Sequence, residues 1–435
     1  MDSRLLYDDL SVGENGHLHF AGKDVASLAE KYGTPLYLLD EDRIREKCRE
    51  YRRALYSAFG ENAGAFYAGK ALCFKGLYRI IEEEGLGIDV VSPGEIYIAS
   101  EAGFPMEQAL FHGNNKTDAD ISFAMDRGVG YFVCDGEEEL DAIDAEAGQR
   151  GRVQKILLRV TPGIDPHTHA KITTGSEDSK FGSSIRSGQA FSLVQKALTK
   201  KNVYLLGFHC HIGSQIFDSK PFEEAAKIMV GFIAAVSERL GYRTKVLDLG
   251  GGIGERYVKD DQSADVSAVI AAIGQAVKTE CEARKVELPF VAVEPGRSIV
   301  ADAGLTLYTV GSVKEIPGVR SYVSVDGGMT DNPRFALYGA RYTVLSAERM
   351  NEEDDFVGTV AGRCCESGDV IAENVSLPRP RRGDLLAVLT TGAYNYSMAS
   401  NYNAIPRPPV VLIRGGEDKL AVRRETFEEM TAGQM

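Results

Sequence analysis

The sequence lacks any apolar run long enough to cross a bilayer. Its longest, residues 228–236, falls far short of the roughly 20 residues that a transmembrane helix needs. Taken with Phe222, that run has helical spacing and predicts a packed amphipathic helix. The N-terminus, MDSRLLYDDL, has no signal-peptide apolar core, which points to the cytoplasm. Positive charge is in deficit: 49 Lys and Arg stand against 63 Asp and Glu, a net charge of −14. Such a chain is poorly suited to binding nucleic acid by neutralising phosphates. The seven cysteines are scattered and odd in number, which favours reduced thiols over a disulfide framework. Repeats, low-complexity tracts and flexible linkers are also missing. What is present is an ordinary globular composition, 44% hydrophobic and 26% charged over 435 residues. A length of this order suggests roughly two to three domains.

Short strand-like runs alternate with longer helix-like ones. The runs are AFYA (65–68), IDVV (88–91), ALFH (109–112), YFVC (131–134), ILLRV (156–160), LLGFHCHI (205–212), VLDL (246–249) and FVAV (290–293). Amphipathic stretches such as KGLYRIIEEEG (75–85) and AFSLVQKALTK (190–200) lie between them. That alternation predicts parallel β-α units. Eight such strands fit a closed (β/α)8 barrel better than the open doubly wound sheet that is the alternative. From about residue 295 the period changes: LTLYTV, YVSVD, FVGTVAG, DLLAVLT and VVLIRGG alternate apolar and polar positions. They predict an antiparallel β domain, which HLHFAG (17–22) can join. The expected division is a barrel over 35–290 and a β domain over 291–435 that takes in 1–34.

In such a barrel the site lies at the C-terminal ends of the strands. The polar residues there are Lys70, Asp89, His112, Arg159, His209, His211, Ser214, Gly250-Gly251-Gly252 and Glu294-Pro295-Gly296-Arg297. GGGIG after a strand exposes consecutive backbone N–H groups that can cradle a phosphate, although a plain tight turn would read the same way. A dinucleotide fingerprint fails, because position 255 is Glu where the third glycine should stand. His209 and His211 point to one face of a strand, and a metal site with His167 and His169 comes to mind. No third ligand has convincing spacing, so no metal is expected; His209 is read as structural and His211 as stacking on a planar cofactor. A lysine is usually a solvated surface charge, but Lys70 sits among Phe66, Tyr67, Ala68, Ala71 and Leu72. Burial there would lower its pKa and make it a nucleophile. A lysine nucleophile, a phosphate loop and Glu294 for a pyridinium nitrogen together describe a pyridoxal-phosphate site.

YAGKA, IDVVSPGE, HGNNK, HCHIGSQ, LDLGGGIG and EPGRSIVADAG resemble the fold-type III pyridoxal-phosphate decarboxylases, which combine an alanine-racemase-like barrel with a β domain. TPGIDPHTHAKITTGSEDSKFG, DNPRFALYGARY, CCESGD and TGAYNYSMASNYN narrow the resemblance to the diaminopimelate decarboxylases. It runs in order along nearly the whole chain; Thr161 stands where Asn commonly precedes the Pro-Gly. The resemblance implies that Lys70 carries the cofactor as a Schiff base, that His211 stacks on its ring and that Glu294 pairs with the pyridine nitrogen. Ser214, Gly251, Gly252, Gly296 and Arg297 would hold the phosphate, with Tyr394 close by and Asp89 and Arg159 in support. Cys365 would protonate the product carbon from the partner subunit of a homodimer. Without that motif Cys365 would read as a buried strand thiol, with Cys364 on the opposite face and no role assigned to it.

The implied substrate residues are Arg297, Arg334, Tyr338, Glu366 and Tyr394. Two guanidiniums suit a carboxylate and a glutamate suits an ammonium, which together describe a distal amino-acid head. Meso-2,6-diaminopimelate has one, whereas ornithine and arginine have no distal carboxylate. Arg334 could otherwise be a surface cation beside the Asp331-Asn332-Pro333 turn. The expected reaction is decarboxylation to L-lysine, the last step of lysine biosynthesis. The alternatives are another fold-type III decarboxylase of the ornithine, arginine or carboxynorspermidine type, a racemase, or a non-catalytic regulatory relative.

Overall fold

The computed structural model describes residues 4–164 and 179–435. The chain divides into two compact units. One comprises Arg45–Gly254 and Ser263–Gly296, and the other the segment ending at Ile44, Glu255–Gln262 and Arg297–Met435.

The first unit is a closed parallel barrel. Its strands are Ala63–Ala68, Gly87–Val90, Ala109–Phe111, Tyr131–Cys134, Gln154–Thr161, Val203–His209, Val246–Asp248 and Phe290–Val293. Each pairs with the next, and the eighth closes on the first through Val291–Ala63 and Val293–Ala65. All eight apolar runs of the sequence are therefore strands. They are too short to be helices, and their inward side chains fill the barrel: Leu110, Val133, Leu157 and Leu206, backed by Phe66, Tyr131 and Val246. The run at 228–236 lies in the helix Lys220–Leu240, which buries Phe222, Met229, Val230, Phe232, Ile233 and Val236 along one face. After the second strand, Ser92 caps the helix Pro93–Ala102 by accepting from the Glu95 N–H, and Pro93 opens it. Cap and proline start the helix immediately beyond the strand.

The second unit is a β domain, and its large sheet is mixed rather than antiparallel as expected. Gly304–Ile316 pairs antiparallel with Leu36–Asp40, Arg320–Val325 and Leu385–Leu389. Val410–Arg414 runs parallel to Leu36–Asp40, however, and Arg320–Val325 parallel to Phe356–Ala361. Parallel pairs need long connections, and both have them: the first is joined through most of the chain, the second through residues 326–355. The strand Leu36–Asp40 thus belongs to this unit and not to the barrel segment that the sequence reading began at 35. Leu10, Leu18 and Phe20 pack in one core with Leu305, Leu307, Ala347 and Met350, and the Leu18 N–H donates to the Ala347 carbonyl at 2.8 Å. The strand Val370–Leu377 escaped sequence reading because register shifts in its pairing with Phe356–Ala361 break its alternation.

Gly207 shows how tightly the barrel closes. A Cβ there would lie 1.8 Å from the Val246 carbonyl oxygen on the next strand. Gly207→Ala is expected to cost about 3 kcal/mol or more through overpacking, read as a lowered Tm. Gly136→Ala, where a Cβ meets nothing within 4 Å, should stay within about 1 kcal/mol of wild type.

Candidate active site

Lys70 lies in the short 3-10 turn Gly69–Ala71 that follows the first barrel strand. Gly69, Ala71 and Leu72 are buried, but the Lys70 side chain is exposed. The expectation that apolar neighbours bury it is therefore corrected: the turn buries Gly69, Ala71 and Leu72 but leaves Lys70 exposed. Its charge is still felt below, where it favours the ionised form of Asp89 and disfavours protonation of His209 and His211.

Beyond the eighth strand, Glu294 is buried between two imidazoles, 2.6 Å from His112 Nε2 and 3.1 Å from His209 Nε2. The two rings meet edge to face with centroids 4.7 Å apart. Burial pushes both histidines below their ordinary range, against the pull of the Glu294 carboxylate, which raises them. Burial would also raise Glu294, but His112 and His209 outweigh it and hold the carboxyl well below its usual value. Asp89, at the end of the second strand, lies 3.8 Å from His112 Nε2, and burial pushes it up to about 6. Asp248, on the seventh strand, is raised well above the carboxylate range by burial and by the Glu294 charge. Glu294 is thus ionised and Asp248 protonated, with Asp89 titrating between them. Asp89 Oδ1, His209 Nδ1 and Asp248 Oδ2 have no hydrogen-bond partner among the described residues. Orphaned buried polar atoms gathered at one place mark a ligand site. His112 and Asp248 went unassigned from the sequence, although a charge inside the apolar run VLDL was a signal. The ligand atoms of His112, His209 and Glu294 lie within 4.8 Å of one another, close enough to hold a cation as well. His167 and His169 lie outside the described residues.

The glycine loop is wedged between two neighbouring loops. A Cβ on Gly251 would lie 2.1 Å from the Glu294 carbonyl oxygen, and one on Gly252 would lie 2.3 Å from the Gly213 carbonyl oxygen. Gly250 and Gly252 also have φ of +66° and +121°, which a side chain would strain. The loop is tied to the one carrying half-buried Ser214 by Ile216 N–H to Gly252 O at 3.0 Å and Gly254 N–H to Ile216 O at 2.9 Å. Gly251 N–H donates to His211 Nδ1 at 3.2 Å. That imidazole is neutral, because burial and the charges of Lys70 and Arg159 push its pKa well down. Gly296 packs onto the lysine turn, where a Cβ would lie 3.0 Å from Ala68 Cβ and 3.1 Å from Ala71 Cβ. Arg159 is buried on the fifth strand, 3.8 Å from Asp135 and with its guanidinium 4.3 Å from the Phe181 ring centroid. An amine, an ionised carboxylate, a neutral imidazole and a tight glycine loop at one barrel end suit a planar phosphorylated ring with a basic nitrogen.

The second unit holds a different constellation. Arg334 opens the helix Arg334–Tyr338 and is buried, so it is no surface cation. Its Nη1 donates to the Tyr342 hydroxyl at 2.8 Å, and its guanidinium lies 4.5 Å from the Tyr257 ring centroid. Arg297, also buried, donates to the Tyr257 hydroxyl at 2.7 Å and lies 4.7 Å from the Tyr394 ring centroid. Tyr394 has φ +59°, a strained conformation for a bulky residue. Among the described residues Arg334 has no carboxylate partner. A buried cation without a counterion is costly, and an anionic ligand relieves that cost. Tyr338 is half-buried. Tyr342 and Asn395 lie in the DNPRFALYGARY and TGAYNYSMASNYN motifs but were assigned no role, and Tyr257 carried no sequence signal beyond its aromatic type. The CCESGD segment is a loop rather than a regular strand. Cys364 is buried, with its N–H on Asp369 Oδ2 at 2.7 Å, whereas Cys365 is exposed, with its N–H on Asn403 Oδ1 at 2.7 Å. Glu366 is exposed and accepts from the Gly368 N–H at 3.3 Å.

Glu294→Gln should cost about 3 kcal/mol at neutral pH, as expected for breaking a buried charged cluster. The folded pKa of Glu294 lies below its ordinary 4.5. Its contribution is therefore present above that pH and lost as the pH falls through the folded value. The Tm gap between wild type and variant should narrow steadily on acidification; a gap independent of pH would contradict an ionised Glu294.

Residues 41–301 match the family model for the pyridoxal-binding domain of pyridoxal-dependent decarboxylases. A diaminopimelate decarboxylase of Bacillus subtilis is 47% identical over 417 residues, covering 96% of this chain and 95% of that one. The crystal structure of a diaminopimelate decarboxylase from M. jannaschii in complex with L-lysine is similar at 35% identity and a TM-score of 0.90, covering 98% of both chains. A lysine/ornithine decarboxylase of Vibrio vulnificus in complex with putrescine is similar at 27% identity and a TM-score of 0.76, covering 90% of this chain and 97% of that one. The chain belongs to the pyridoxal-dependent decarboxylases, in their diaminopimelate decarboxylase branch.

Proposed function

We propose that this protein is a carboxy-lyase that converts meso-2,6-diaminopimelate to L-lysine and carbon dioxide with pyridoxal phosphate as cofactor, closing lysine biosynthesis. The observation that carries the substrate choice is the buried pair Arg297 and Arg334 in an aromatic cage, with Arg334 lacking a counterion among the described residues. Ornithine and arginine offer such a pair no distal carboxylate. This counts against the lysine/ornithine reading that the Vibrio vulnificus neighbour would suggest.

Pyridoxal phosphate, when bound, supplies the electron sink for the pair released as the carboxylate leaves. Lys70 would provide the amine that holds the cofactor. Glu294, kept ionised, holds a proton on the ring nitrogen. His211 lies against the ring, while Ser214 and the amides of Gly251, Gly252 and Gly296, with Arg297, take the phosphate. Asp89, Arg159 and Tyr394 orient these groups. Arg297, Arg334, Tyr338 and Tyr394 receive the distal carboxylate and Glu366 the distal ammonium. Cys365 then delivers a proton to the carbon that lost carbon dioxide. An exposed thiol on a loop suits delivery into the site of a partner subunit, so the working form is a homodimer, in the cytoplasm, where the free thiols stay reduced.

The direct test supplies the cofactor-loaded protein with meso-diaminopimelate and measures lysine and carbon dioxide, with arginine and ornithine as controls. Lysine and carbon dioxide in equal amounts support the proposal; their absence from active-site-loaded protein overturns it. Arg334→Ala should keep the cofactor and raise KM at least about tenfold, since it removes a binding group; an unchanged KM removes Arg334 from the site. Cys365→Ala should retain cofactor yet lose most turnover. Mixing it with Lys70→Ala chains should restore part of the activity if the site is shared, and no recovery after confirmed subunit exchange counts against a shared site.

A further inference from the structure

We infer that Tyr257 is a positioning residue for substrate recognition, one ring that fixes both guanidiniums of the carboxylate clamp. The inference rests on the reading above that Arg297 and Arg334 receive a substrate carboxylate.

Tyr257 stands a few residues beyond the glycine loop, in the short segment Glu255–Gln262 that belongs to the β unit although the flanking chain belongs to the barrel. Its ring is 3% exposed. Its hydroxyl accepts from Arg297 Nη1 at 2.7 Å, and its ring centroid lies 4.5 Å from the Arg334 guanidinium and 5.8 Å from that of Arg297. No other ring contacts both arginines among the described residues. The ring has one aromatic neighbour and its backbone is pinned on both sides. Tyr342 packs edge-on at 5.5 Å and 83°, Thr343 Oγ1 donates to the Tyr257 carbonyl at 3.0 Å, and Asp261 Oδ2 accepts from the N–H groups of Tyr257 and Val258 at 3.0 and 3.1 Å.

The physical need is plain. Two guanidiniums held close together repel each other, and burial strengthens that repulsion. A carboxylate neighbour would quench it, but would also occupy the donors that the substrate requires. A tyrosine offers a milder negative surface: the ring face attracts one cation and the phenol oxygen accepts from the other. Neither interaction with Tyr257 takes up a whole guanidinium fork, as a bidentate carboxylate would. Because the attractions differ, one to the face and one to the hydroxyl, they fix the two forks at different positions around a single rigid ring.

The two attractions can be removed separately. Tyr257→Phe deletes only the hydroxyl contact to Arg297 and preserves ring volume. Tyr257→Leu deletes the face under Arg334 as well. For the cofactor-loaded enzyme, Tyr257→Phe should raise KM for meso-diaminopimelate about fivefold with kcat within about twofold of wild type, and Tyr257→Leu should raise it further. Calorimetric titration separates positioning from general damage. L-lysine keeps the distal amino-acid head after the reaction, whereas cadaverine lacks any carboxylate. Tyr257→Phe should therefore weaken L-lysine binding about fivefold and leave cadaverine binding unchanged. Unchanged L-lysine binding in Tyr257→Phe overturns the inference, as does an equal loss for both ligands. If Arg334→Ala also leaves KM and L-lysine binding untouched, the underlying reading of the clamp falls; if Arg334→Ala raises KM while both Tyr257 variants behave as wild type, only the role of Tyr257 falls.

Discussion

A single ionised carboxylate, Glu294, sets the electrostatics of the barrel end. It is buried, and an isolated buried carboxylate would take up a proton. Two imidazoles prevent this by presenting Nε2 at 2.6 and 3.1 Å. Those histidines come from the ends of the third and sixth strands and the carboxylate from beyond the eighth, so only a closed barrel brings them together. The consequences spread outward. With Glu294 ionised, Asp248 is driven to its neutral form and Asp89 is pushed up to about 6. A fixed negative charge at Glu294 can hold a protonated ring nitrogen.

The β unit solves the opposite problem with different materials. It keeps two guanidiniums buried against tyrosines, Arg297 on the Tyr257 hydroxyl and Arg334 on the Tyr342 hydroxyl and the Tyr257 face, and Arg334 has no carboxylate partner among the described residues. Glu294 in one unit and Arg334 in the other each present a buried charge that a group on a ligand can meet. That logic favours a zwitterionic substrate with a carboxylate to be recognised at its far end over a simple diamine precursor.

Much of this was legible in the residues. The eight short apolar runs became strands because each carries enough β-branched and aromatic side chains to fill a barrel and is followed at once by a turn. Lys70, the glycine loop and Glu294 were readable because a barrel concentrates function after its strands. Other features depend on contacts that spacing cannot report. The parallel pairing of Val410–Arg414 with Leu36–Asp40 joins the two ends of the chain. His112 lies in a motif that sequence alone could not connect to Glu294, 182 residues away as 294 − 112. Tyr257 sits in a segment that changes units for a few residues. The exposure of Lys70 went against its apolar neighbours because a short turn redirects one side chain without moving the rest.

Substrate choice is the claim on which the two charge-storing constellations meet, and one comparison tests it most directly. The measurement is the ratio of kcat/KM for meso-diaminopimelate to that for ornithine, made on the same cofactor-loaded preparation with lysine and putrescine quantified as products. A clamp built for a distal carboxylate should favour diaminopimelate by about a thousandfold or more, since losing the partner of buried polar groups costs several kcal/mol. Comparable rates for the two would contradict it and place the protein among decarboxylases that recognise only a distal amine.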